Sequence, residues 1–422
     1  MFDEKQKKIE GKIPYGFRDI FPIEAEERNS IRELIKKEFE LWGYGEIKTP
    51  VVEFTRNISI GVGKNWENKL INFFDSDGSL VSLRTDMTIP IARFTGMRIK
   101  KNQLPVRFCY FANSFRRSMS QKGEKREYNQ AGLELIGSPS YMCDVEILLI
   151  LINLLKKLIS DNFLIGIGSA KLINALYDWL GLNESEKQFI RNNLILKNFV
   201  AIQEFLDKRD QLKSRLFLYL IKPHSNKKEF ENLILETGSE NVLKEFSYLK
   251  NIYEILSKFG FEKFLIFNVG VLRDFNYYTG VIFEVYSSNI NSVIGSGGRY
   301  DKLIMKFGLD VPATGFALDI DLLHKSIKES SSMIFNKKLK ILLASQDSDY
   351  LSMIGTAEAL RKKNIIVELY YDEIKNFEEA AKENKADMAV IINNQLNNVE
   401  VINLNSNTKS TMELVRFLEN FK

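Results

Sequence analysis

The spacing of apolar positions along the chain changes period several times before residue 160. Over 24–42, Ile31, Leu34, Ile35, Phe39 and Leu41 recur at helical spacing among charges, which predicts an amphipathic helix ended by Gly43 and Gly45. GEIKTPVVEF then reads as a strand entering a turn at Pro50. INFFDSDGSLVSLR (71–84) holds two apolar runs joined by Asp-Ser-Asp-Gly, a hairpin signal. VRFCYFANSFRR (106–117) and REYNQAGLELIG (126–137) read as two further strands around a polar loop at 118–125. A helix is expected over 141–160, and its apolar run at 147–155 is too short to span a bilayer, so it reads as core.

From about 163 to 262 the pattern turns helical, with EKQFIRNNLI, NVLKEFSYLKNIYEIL and a polar joint at PHSNKKE, which predicts a helical insertion. There His224 is expected to be exposed. Strand patterns return at FLIFNVGVL and YYTGVIFEVY, followed by the glycine cluster GSGGRYD and by ATGFALDIDLLHKSI. Residues 325–338 read as a linker. Beyond it KILLASQ, IIVELYY and DMAVIIN alternate with helices at 348–363, 375–384 and 409–420, a small α/β domain with a mostly parallel sheet. The domains expected are thus a core over 1–325, interrupted at 163–262, and a second domain over 338–422.

Composition narrows the chemistry. The 422 residues, 45% apolar and 27% charged, allow two to four domains at roughly 100–200 residues each. Thirty Phe and sixteen Tyr exclude a disordered chain. Two cysteines, Cys109 and Cys143, leave no disulfide framework or Cys-rich zinc site and read as buried fillers. Two histidines, His224 and His324, leave little material for His-based metal chemistry or a Ser-His-Asp triad. No cofactor or metal is expected. The N-terminal MFDEKQKKIEGKIP lacks the apolar stretch of a signal peptide, so a cytoplasmic, membrane-free location is expected. A formal charge of +4 neither implies nor forbids a nucleic-acid partner.

Four segments are specific together: IPYGFRDIFPIEA (13–25), SLRTDMTIPIARF (82–94), NSFRRSMSQKGEKREYNQAGLELIG (113–137), and LRDFNYYTGVIFE (272–284) with GSGGRYD (295–301). In this order and spacing the chain resembles histidyl-tRNA synthetases over nearly its whole length. Its wording, RTDMTIPIAR above all, is closer still to the non-catalytic branch of that family, the regulatory subunits of ATP phosphoribosyltransferase. The resemblance implies an α+β fold with a class II synthetase-like antiparallel sheet, and a C-terminal domain like an anticodon-binding domain.

By that resemblance Asp86, Thr88, Arg116, Gln130 and Glu134 map onto groups around the amino-acid substrate, Arg273 onto the histidine-site arginine, and Tyr277 and Tyr278 onto a tyrosine pair at the imidazole. The nucleotide side departs from the synthetases. Met87 replaces a glycine of the binding loop, and Ser118 stands for an acidic partner of Arg116. Asp319 replaces a glycine under the nucleotide, and Leu322 the arginine that clamps the γ-phosphate. Losing such a clamp removes charge-assisted hydrogen bonds of roughly 1.5–3 kcal/mol each. Met119 and Glu124 occupy two positions usually basic in the loop facing the tRNA acceptor end, leaving Lys122, Lys125 and Arg126. Asp274 stands beside Arg273, where it would neutralise it.

The resemblance implies a homodimer that pairs with a short-form catalytic ATP phosphoribosyltransferase, takes L-histidine as effector, and binds no tRNA. Two alternatives stay open: a diverged histidyl-tRNA synthetase, and an RNA-binding module built on the tail domain. Plainer readings stand beside the site residues as well. Asp86, Arg116 and Glu134 can form a structural ion network, one of the two tyrosines can be core on an alternating strand, and GSGGRYD can be a tight turn.

Overall fold

The computed structural model describes residues 11–62, 64–117, 125–272, 277–330, 338–346 and 349–421. Ser118, Met119, Lys122, Glu124, Arg273 and Asp274 lie outside them. The chain forms two units, 1–334 and 335–422, each with its own core.

The first unit opens with α1 (Pro22–Leu41), whose proline sits in the first turn and whose Ile31, Ile35 and Phe39 are fully buried. β1 (Gly45–Glu46) pairs parallel to β5 (Val106–Phe115). Between them β2 (Val52–Phe54), β3 (Asn72–Phe74) and β4 (Leu80–Leu83) make a separate three-stranded sheet in the order β2-β4-β3. The expected hairpin is β3–β4, closed by Gly78 at φ +82°. α2 (Thr55–Val62) packs on β2 and β4, and α3 (Thr88–Arg98) packs on α2 and reaches β2 through the Arg93–Glu53 ion pair.

β5 and β6 (Glu127–Ile136) pair antiparallel over ten residues and lead into α4 (Met142–Ile159), apolar on nearly every side and buried at twelve positions. The large sheet has eight strands in the order β1-β5-β6-β11-β10-β9-β7-β8. Its later members are β7 (Phe163–Ser169), β8 (Leu265–Phe267), β9 (Val281–Ser287), β10 (Ser292–Arg299) and β11 (Ala313–Asp319). Pairing is antiparallel except at the β1–β5 and β7–β8 edges. This is the α+β, antiparallel-rich core.

Between β7 and β8 run six helices: α5 (Ala170–Trp179), α6 (Glu184–Ile195), α7 (Phe199–Leu206), α8 (Gln211–Leu220), α9 (Lys227–Glu236) and α10 (Glu240–Lys258). Each has a side-chain N-cap, and Asn183 with Glu186 forms a capping box. The stretch expected to be helical from 163 therefore opens with a strand of the main sheet. His224 is buried rather than exposed: its backbone bridges Phe267, and its ring packs on Phe230. Residues 295–299 of GSGGRYD are the last five of β10, and the chain turns only at Asp301. α11 (Ile320–Ser330) carries on through part of the expected linker because Ser326 and Ile327 are buried against the sheet.

In the second unit β12 (Lys340–Ser345), α12 (Tyr350–Arg361), β13 (Ile366–Leu369), α13 (Phe377–Glu383), β14 (Met388–Asn393), β15 (Asn398–Asn403), β16 (Thr408–Glu413) and α14 (Leu414–Glu419) follow in order. The sheet runs β13-β12-β14-β15-β16; its first three strands are parallel, but β15 and β16 are antiparallel. The closing helix expected over 409–420 is thus a strand followed by a six-residue helix.

Candidate functional site

β5, β6, β10 and β11 lie side by side, and on their common face they enclose a cavity of about 200 Å³. Asp86 and Thr88 reach it from the start of α3; Tyr110 stands on β5, Gln130 and Glu134 on β6, and Ser296 on β10. Tyr277 and Tyr278 close it just before β9, Tyr300 just after β10, and Asp319 and Leu322 where β11 passes into α11. Seven of the eight residues assigned by resemblance meet there; Arg273 lies outside the described residues.

The geometry fixes each carboxyl group. Glu134 accepts from Thr88 Oγ1 at 2.9 Å on one oxygen and from the Tyr300 hydroxyl on the other. Asp86 accepts the Ile89 backbone N–H at 3.2 Å and the Tyr277 hydroxyl at 3.3 Å. Burial pushes the Asp86 carboxyl up to about 6, against the lowering pull of these bonds and of Arg116. Burial pushes Glu134 up to about 8, with Asp86 adding repulsion. Asp319 is also raised by burial, although Lys125 pulls it down. One oxygen of Asp319 accepts the N–H groups of Asp321 and Leu322, so it caps α11.

Arg116 is the one cationic side chain among the described residues lining the cavity, which also holds three carboxyl groups. Its Nε donates to the Thr85 carbonyl at 3.3 Å, and its guanidinium lies 4.9 Å from the Tyr128 ring centroid and 5.4 Å from that of Trp66. Gln130 Oε1 is buried with no hydrogen-bond partner, an acceptor turned to a site rather than to protein. Such a lining suits a small polar molecule with cationic centres and a carboxylate, held among tyrosines.

Tyr277 and Tyr278 both line the cavity, their rings 4.9 Å apart, because the segment before β9 is irregular and does not alternate faces. Sequence reasoning missed Tyr300, Tyr110 and Tyr128. Tyr300 was within the quoted GSGGRYD, and its place next to Arg299 at a strand end was the available signal. Arg299 itself turns away from the cavity: its Nε donates to Asp144 at 3.0 Å, and Tyr248 donates to the same Asp144 oxygen at 2.6 Å. Gly315 is needed at its place on β11, since a Cβ there would stand 1.9 Å from Glu134 Oε2. Among the described residues no group of three or more His, Cys, Asp or Glu is placed to hold a metal, and no helix is long and apolar enough to cross a membrane.

An eight-stranded antiparallel-rich sheet flanked by helices, with a polar pocket on its central strands, defines a class II aminoacyl-tRNA synthetase-like protein. Residues 16–323 match the histidyl-tRNA synthetase family. The chain is 32% identical over 391 residues to an ATP phosphoribosyltransferase regulatory subunit of Thermoanaerobacter sp. (strain X514), covering 89% of this chain and 99% of the relative. It is 32% identical over 361 residues to the protein of that name from Clostridium botulinum, covering 85% and 86%. Among solved structures, an ATP phosphoribosyltransferase regulatory subunit/histidyl-tRNA synthetase from Bacillus halodurans C superposes with a TM-score of 0.77 at 26% identity, over 91% of this chain and 98% of the other. The histidyl-tRNA synthetase of Nostoc sp. PCC 7120 shares the fold, with a TM-score of 0.81 at 18% identity over 98% and 99%. The chain belongs to the histidyl-tRNA synthetase-like family of ATP phosphoribosyltransferase regulatory subunits.

Proposed function

We propose that this chain is a non-catalytic regulatory subunit that a short-form catalytic ATP phosphoribosyltransferase requires for the first step of histidine biosynthesis, and that its pocket takes L-histidine as effector. The names of its relatives support the subunit role. The observation that carries the effector reading is the unequal wall of the pocket. At the amino-acid end Asp86, Glu134, Gln130 and Arg116 offer partners for an ammonium, an imidazole and a carboxylate. At the other end, where the synthetase resemblance puts nucleotide phosphates, stand Asp319 and Leu322. A carboxyl group repels a triphosphate and a leucine offers it no hydrogen bond, so adenylation is not the chemistry proposed. Histidine would shift the assembly by its difference in affinity for two states.

A homodimer within the larger complex is part of the proposal. The three-stranded sheet supports it by exposing Val52, Phe54 and Phe73, a cluster of apolar side chains on one face. The second unit takes the place of an anticodon-binding domain, with no tRNA bound, and the cytoplasm is the proposed compartment.

Co-expression with the catalytic chain should give one co-eluting complex; independent elution would sink the subunit reading. Titration calorimetry should give heat on adding histidine to the chain or to the complex, and its absence from both would sink the effector reading. Histidine-dependent ATP–pyrophosphate exchange by the purified chain would instead establish a synthetase.

A further inference from the structure

The sheet face that carries the polar pocket continues past β10. Ser296 lines that pocket, and its register partner Glu284 on β9 lines a second cavity of about 740 Å³. Leu164 and Tyr286, paired across β7 and β9, belong to the same lining, whereas Asp319 and Leu322 do not. A further wall comes from the helical insertion: Lys197 follows α6 in the left-handed conformation at φ +55°, Phe199 opens α7, and Ile221 follows α8. The charge differs from that of the polar pocket. Lys69, Arg116, Arg117, Lys125 and Lys197 line this cavity against one carboxyl group, Glu284, among the described residues. Glu284 is 6% exposed and accepts the Tyr286 hydroxyl at 2.7 Å. Lys125 holds Asp321 at 2.9 Å and Arg116 belongs to the polar pocket, so the excess stands on Arg117 and Lys197, with Lys69 at hand. The Arg117 backbone N–H donates to the Lys69 carbonyl at 2.8 Å, which sets those two residues side by side. Arg117 and Lys197 are exposed and take part in no ion pair among the described residues.

We propose that this cavity is a second ligand site, which takes a nucleoside di- or triphosphate: the phosphates lie between Lys69 and Arg117 of the core and Lys197 of the insertion, and the base lies against Phe199, Ile221 and Leu164. Like charges gathered over a partly apolar cleft repel one another until an anion joins them, and the low-dielectric walls focus their field on it. Charge-assisted hydrogen bonds from lysine and arginine to phosphate oxygens are the strong kind, and a chain of two or three phosphates can reach cations on both walls. Phe199 is 43% exposed and Leu164 37%, so two elements leave apolar surface in one cleft. A flat base covers such surface and stacks on the phenylalanine ring, which bare phosphates cannot do. The bound ligand ties the helical insertion to the core. The site stands apart from the histidine reading and goes beyond it.

The test is titration calorimetry of the full chain with ADP, pyrophosphate and adenosine, each without metal ion. ADP should bind about tenfold more tightly than pyrophosphate, adenosine should give no heat, and rising salt should weaken ADP. Lys197→Gln should weaken ADP about tenfold, the size of one charge-assisted hydrogen bond, and Lys197→Arg should keep most of the affinity. Both variants put an unbranched side chain at the same exposed, left-handed position, so the ligand-free protein should melt as wild type. Arg117→Gln, on the core wall, should weaken ADP by a similar factor. No heat with either ADP or pyrophosphate overturns the proposal, as does ADP affinity unchanged in both glutamine variants. Pyrophosphate bound as tightly as ADP overturns the nucleoside assignment. An RNA hairpin with a single-stranded 3′ end, bound more tightly than ADP and weakened by the same variants, would make the cavity a nucleic-acid surface instead. Histidine that gives no heat while ADP binds defeats the histidine reading alone, which keeps the two failures apart.

Discussion

Gly315 on β11 and Glu134 on β6 face each other across a register pair so closely that a Cβ on the glycine would stand 1.9 Å from the glutamate's Oε2. The carboxyl group occupies space that any other residue would fill, and Tyr300 holds it there from the same side. Gly315→Ala is expected to displace Glu134 and break its bonds to Thr88 and Tyr300. Overpacking of this kind costs about 1–3 kcal/mol, readable as a lowered melting temperature, and histidine affinity should fall at least about tenfold. A variant that binds as wild type would show that Glu134 is not a ligand contact.

The raised carboxyl groups make stability depend on pH. Glu134 at about 8 and Asp86 at about 6 lie above the values of an unfolded chain, roughly 4.3 and 3.9. The folded state binds more protons through that window, so their contribution is fully present below about pH 4 and lost as pH rises through about 8. The ligand-free protein is expected to melt at lower temperature at pH 8.5 than at about pH 6. Glu134→Gln should flatten that slope by an amount on the order of a few kcal/mol. An unchanged slope in denaturant melts across the same range would refute it.

Asp319 has two separable consequences, a cap and a charge. Asp319→Ala removes the acceptor for the Asp321 and Leu322 N–H groups and should cost about 1 kcal/mol. Asp319→Asn keeps an equally good cap and should melt as wild type, so any change in ligand affinity in that variant reports the charge alone. Equal melting of the alanine and asparagine proteins would mean that α11 does not depend on this cap.

The Arg299–Asp144 pair is buried on both sides, with Asp144 fully shielded from solvent. Arg299→Leu leaves the Asp144 carboxylate buried beside the Tyr248 hydroxyl without its cation, and it should destabilise the first unit by about 3–5 kcal/mol. Urea unfolding would measure it, and a loss below about 1 kcal/mol would place the pair among weakly coupled ions.

Much of this architecture was legible where local rules agree with the fold. Asp-Ser-Asp-Gly closed the β3–β4 hairpin, and the all-round apolar α4 went to the core. β7 was not legible because Gly166 and Gly168 blank its strand signature. Packing requires Gly168, where a Cβ would meet the Asn268 carbonyl oxygen at 2.5 Å, and leaves little room at Gly166, where it would meet the Tyr286 ring at 3.1 Å. β16 was hidden for the opposite reason, being an edge strand of polar, mostly exposed residues with no alternation to detect. In the site, motif positions supplied the carboxylates and Arg116, since those fall in the quoted segments. Tyr110 acts through packing across elements far apart in sequence, which no local pattern records.

The protonation of the empty pocket gives binding a measurable stoichiometry. Glu134 at about 8 carries its proton at neutral pH, and a cationic ligand beside it favours the ionised form. Loading the site then exchanges a ligand for a hydrogen ion released to solvent, so the heat of binding should vary with the ionisation enthalpy of the buffer. A cationic ligand held this way would bind more weakly as the surrounding medium grows more acidic.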